Sequence, residues 1–70
     1  MDKYVENFSK NLKELIGDRK IYAVAEDIGI KHQTLSRYLS GERMVKLDNL
    51  VKIADYFNED IDVLIGRRDY

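Results

Sequence analysis

The chain has 70 residues, 44% hydrophobic and 36% charged, with a net charge of −1, four glycines, one histidine, no cysteine and no proline. That balance describes one compact all-α domain, and it excludes a disulfide framework, a zinc site and an iron–sulfur cluster. No apolar run approaches the roughly 20 residues of a bilayer span, and the start Met1-Asp2-Lys3-Tyr4-Val5-Glu6 lacks the plan of a secretory signal, so a cytoplasmic location is expected.

A period near 3.6 runs through the whole sequence and predicts five helices. In the first, Val5, Phe8, Leu12, Leu15 and Ile16 form one apolar stripe, closed by Gly17. Asp18 is the expected N-cap of the second, whose buried side carries Ile21, Val24, Ala25 and Ile28, and Gly29 ends it. The third is predicted over His32 to Ser40, with Leu35 and Leu39 one turn apart and Gly41 after it. An exposed loop from Glu42 to Lys46 follows. Asp48 or a neighbour starts the fourth helix, with the stripe Leu47, Leu50, Val51, Ile53, Ala54 and Phe57, and Asn58 terminates it. Asp60 caps a short fifth helix that turns Ile61, Leu64 and Ile65 to the core, ends at Gly66 and leaves Val63 outside. Residues 67–70 are a short tail. The expected organisation is a single domain over 1–70.

Charge is segregated along this chain. Residues 1–30 carry five basic and six acidic side chains, and residues 47–70 carry three basic and six acidic. Between them, Lys31, Arg37, Arg43 and Lys46 stand against Glu42 alone, a local net of +3. Such a patch, rather than the overall charge, is what meets a polyanion.

Residues 21–41 hold a set of spacings that two closely crossed helices require. Ala25 is the small residue at the helix contact. Gly29, four later, supplies a turn position at positive φ. Ile30 plugs the gap between the helices, and Leu35 packs the second helix back on the first. With the flanking helices, this pattern resembles the lambda-repressor-like (Cro-type, XRE-type) helix-turn-helix family from about Phe8 to Gly66. The family's Leu-Ala, Gly-Val and Thr-Ile-Ser-Arg-Tyr elements stand here as Val24-Ala25, Gly29-Ile30 and Thr34-Leu35-Ser36-Arg37-Tyr38, followed by Gly41. The chain departs from the family at the start of the second helix, where Ile21 replaces a phosphate-binding Gln. It departs again at the cap of the third, where Lys31 replaces Ser or Thr. The loop between the first two helices is about two residues short.

The resemblance implies sequence-specific binding of double-stranded DNA by a transcriptional regulator, most simply a repressor, with the third helix in the major groove. Gln33 and Arg37 share a face of that helix, flanked by His32 and Thr34. Arg37 suits guanine O6 and N7, Gln33 suits adenine, and the Thr34 methyl suits thymine. Phosphate contacts are expected from Lys31, Ser40, Arg43 and Lys46, with Lys20 and Tyr22 in place of the missing Gln. The bland alternative for Arg37 is an ion pair with Glu42. Tyr38 is expected to be half-buried packing. A palindromic operator and a homodimer follow, with Val63 and Tyr70 at the dimer interface, since in similar proteins the C-terminal end lies between subunits. The alternative is an antitoxin or accessory regulator that mainly binds a partner protein, motivated by Tyr56, Val63 and Tyr70 in the acidic C-terminal third. No nucleophile–base pair, phosphate loop or metal-ligand spacing is present in the sequence, so no catalytic residue, metal or cofactor is nominated.

Overall fold

A computed structural model describes residues 2–69 and contains α1 (Lys3–Ile16), α2 (Ile21–Ile28), α3 (His32–Ser40), α4 (Leu47–Phe57) and α5 (Ile61–Leu64), with no strand among the described residues. Each helix contributes one large side chain that is wholly removed from solvent: Leu12, Val24, Leu35, Ile53 and Leu64. Burying a side chain of this kind stabilises by about 1.5–3 kcal/mol. Phe8, Ile16, Ala25, Ile30, Tyr38, Leu39 and Ala54 complete the core. The radius of gyration is 10.8 Å, against about 11 Å expected from chain length for a compact domain. No helix among the described residues is long and apolar enough to cross a membrane.

The helix ends follow local chemistry. The Asp2 carboxylate caps α1 by accepting from the Tyr4 N–H at 2.8 Å. Gly29 takes φ +90°, and both its N–H and that of Ile30 donate to the Ala25 carbonyl, at 2.9 and 3.0 Å. Asn58 ends α4 in the left-handed region at φ 54°, as its short polar side chain allows.

Polar side chains, Ser9 buried and Asn7, Asn11 and Asn49 half-buried, tie the helices to one another. The Ser9 hydroxyl donates to the Leu39 carbonyl at 2.5 Å and ties α1 to the end of α3. Asn49 donates to the Tyr38 hydroxyl at 2.9 Å, and the Tyr38 ring meets Phe8 edge-on at 6.1 Å. Asn11 donates to the carbonyls of Val63 and Leu64 at 3.0 and 2.9 Å, and Asn7, one turn earlier, donates to that of Ile65 at 3.2 Å.

Several expectations are corrected. Val63 is buried, 6% exposed, because Asn7 and Asn11 draw the α5 backbone onto α1 and roll Val63 inward, while Ile61 and Ile65 are only half-buried. It does not stand outside to meet a second subunit. Asp18 does not cap α2; Lys20 does. Ile21, at the open start of α2, is exposed. Leu47 and Val51 lie off the α4 core stripe, which Leu50, Ile53, Ala54 and Phe57 fill at spacings of three and four. Tyr38 is buried rather than half-buried. Asp60 makes no side-chain bond to the start of α5, and its carboxylate pairs with Arg68 instead. The α5 helix ends at Leu64, before Gly66.

Candidate nucleic-acid interface

The turn at Gly29 hands the chain from α2 to α3 in three residues, so α3 is set by how Ile30 and Leu35 bury against α2. Leu35, Tyr38 and Leu39 occupy its inner face. Its outer face is thereby fixed: His32, Gln33 and Arg37 are exposed, and Thr34 is half-buried at the edge. Gln33 and Arg37 are four residues apart, one helical turn, so their side chains project as neighbours. The ion pairs among the described residues join Arg19 to Asp27 and Arg68 to Asp60. The Glu42 carboxylate makes none with Arg37, and the Arg37 guanidinium keeps its donors open.

Basic residues stand at the starts of α2, α3 and α4 and in the loop after α3. Lys31 is the N-cap of α3 and Lys46 the N-cap of α4, as Lys20 is of α2. None of the three makes a side-chain bond to its helix, so the first N–H groups of three successive helices keep no side-chain cap. A lysine there sets a cation at the positive end of the helix dipole, where an acid or a hydroxyl is the stable choice. The same arrangement attracts anions. Arg43 is exposed in the loop after Gly41, and the exposed Ser40 hydroxyl donates to the Arg37 carbonyl at 3.0 Å. Tyr22 is exposed beside Lys20, whose ammonium lies 5.9 Å from the ring centroid.

The residues cited for a protein-binding role are disposed differently. Val63 is in the interior. Tyr56 is half-buried and accepts from Arg19 while donating to Asp27 at 3.0 Å. Tyr70 lies outside the described residues. No group of three or more metal-ligating side chains is present among the described residues. The lysine caps of α2 and α4 differ from the expected acidic ones, and their one signal in the sequence is a place just before each apolar stripe. Asn49, bonded to Tyr38 on the inner face of α3, carries no signal in the sequence, because the bond depends on how α4 docks.

A two-helix motif with a left-handed glycine turn, a buried inner face and an open polar outer face defines a helix-turn-helix protein. A family model described as Helix-turn-helix matches residues 12–64, and the chain belongs to that family, with the five-helix, lambda-repressor-like fold. It is similar to the cryptic phage CTXphi transcriptional repressor RstR of Vibrio cholerae serotype O1 (strain ATCC 39315 / El Tor Inaba N16961), at 46% identity over 44 residues. Those residues are 63% of this chain and 39% of that relative, so the match spans about two fifths of the relative's length. No solved structure matches the chain.

Proposed function

We propose that this chain binds double-stranded DNA sequence-specifically as a transcriptional repressor in the cytoplasm, with α3 in the major groove. The observation that carries the reading is the division of α3: Leu35, Tyr38 and Leu39 are core, while His32, Gln33 and Arg37 are exposed on the opposite side. Arg37 and Gln33 read base edges, with His32 and Thr34 at the leading end. Lys20, Tyr22, Lys31, Ser40, Arg43 and Lys46 contact phosphates and set the register of the helix. Family membership and the likeness to a phage repressor support the same reading. Residues 1–70 act as one DNA-binding unit, without catalysis or cofactor.

The working unit is a homodimer on a palindromic operator. Four base-reading side chains are too few to single out a site among roughly a million or more competitors. Two copies double the readout, with recognition helices about 34 Å apart and half-sites about 10 base pairs apart. Selection from a pool of random duplexes tests the reading. It should enrich a two-fold symmetric sequence, bound more weakly as salt rises. Enrichment of no sequence, with weak binding alike to all duplexes, overturns it.

A further inference from the structure

The homodimer needs a contact surface, and α5 does not supply the apolar one expected of it. The large apolar side chains exposed among the described residues are Tyr4, Ile21, Tyr22, Met44, Leu47 and Val51. Ile21 and Tyr22 follow Lys20 at the start of α2, among the proposed phosphate contacts. Of the other four, two line a groove and two stand on the helix that carries Leu50 into it. Tyr4 and Met44 line an apolar groove of about 250 Å³ with Val5, Phe8, Val45 and Leu50. Leu47 and Val51 stand one turn apart on α4, on either side of Leu50 in sequence. We propose that this face, formed by Tyr4, Met44 and the outer edge of α4, receives a second copy of this chain across the operator's two-fold axis. The inference rests on the DNA-binding homodimer reading above.

Symmetry favours this face over the C-terminal corner. A two-fold contact pairs a patch with itself. The α4–α5 corner sets Asp55, Glu59, Asp60 and Asp62 against Arg68 alone, so pairing it with itself brings two surfaces of net negative charge together. The Met44 groove has Asp2 as its one acidic lining residue, and along the outer edge of α4 Asp48 and Asp55 beside Val51 are offset by Lys46 and Lys52. It also adjoins Arg43 and Lys46 in the same loop, so a partner seated there stays beside the duplex. The area sets the strength. Exposures are 66% for Met44, 74% for Leu47, 41% for Val51 and 40% for Tyr4. At roughly 200 Å² for a large side chain they offer roughly 400 Å² per copy. That is half of the about 800 Å² per partner of a stable interface. Two copies therefore pair weakly in solution and hold together when the duplex brings them side by side.

The double variant Leu47→Gln/Val51→Gln tests this, because it removes apolar contact without adding charge near phosphate. Wild type and variant are titrated against the symmetric duplex obtained by selection and against a duplex holding one half-site, with copies per duplex counted by sedimentation. Wild type should load two copies on the symmetric duplex cooperatively. The variant should lose at least tenfold in cooperativity, keep its half-site affinity within about twofold, and melt at the same temperature. Undiminished cooperativity in the variant overturns the proposal and leaves the face to another protein. An equal loss on both duplexes overturns it too, since the stripe would then touch DNA. Loading of one wild-type copy on the symmetric duplex refutes the dimer itself, while α3 still reads its half-site.

Discussion

Gly29 stands at φ +90° with no heavy atom within 4 Å of where a Cβ would sit, so a side chain there meets backbone strain and no clash. Gly29→Ala is expected to destabilise by about 1–2 kcal/mol, read as a lower urea midpoint at an unchanged slope. A variant as stable as wild type would contradict the left-handed turn. Lys31 presents the opposite trade. Lys31→Ser gives α3 a side-chain cap and should stabilise the fold by about 1 kcal/mol. It should also weaken DNA binding and lower the slope of log affinity against log salt by about one. A stabilised protein with unchanged affinity and slope would remove Lys31 from the interface. Residues whose role is local were the ones legible in the sequence: Ala25, Gly29, Ile30 and Leu35 follow from the stereochemistry of a tight helix crossing. Lys31 is legible as the cap of α3 through the family resemblance, which places Ser or Thr at that position.

At the scale of elements, five helices and their order could be read from periodicity, because each helix longer than two turns repeats its apolar stripe. The four-residue α5 has too few positions to define a face. Its roll is set by Asn7 and Asn11, which lie more than 50 residues away in sequence and present no local signal. The exposed surface of α4 differs from the periodicity for a related reason. Leu47 and Val51 are apolar and one turn apart, but they stand at the edge of the stripe formed by Leu50, Ile53, Ala54 and Phe57 and remain exposed. Asn11→Ala withdraws the donor shared by the Val63 and Leu64 carbonyls, and is expected to cost about 1–3 kcal/mol in chemical denaturation. A loss below half a kcal/mol would mean that apolar packing alone seats α5.

Across the whole molecule, a net charge of −1 coexists with a local net of +3 over residues 31–46, so the chain is expected to approach a polyanion by one side only. The extents of 28 × 25 × 24 Å are below the roughly 34 Å of one duplex turn, so the two copies of the proposed dimer would fit side by side on one face of the duplex. The claim on which this rests is that the outer face of α3 reads base edges. Arg37→Ala tests it most directly, with affinity measured on the selected operator and on each of its single-base-pair variants. Discrimination should fall by roughly 1–3 kcal/mol at one base pair of each half-site and stay as in wild type at the others. An equal loss of affinity on every duplex, with discrimination intact, would place Arg37 on phosphate and contradict the account.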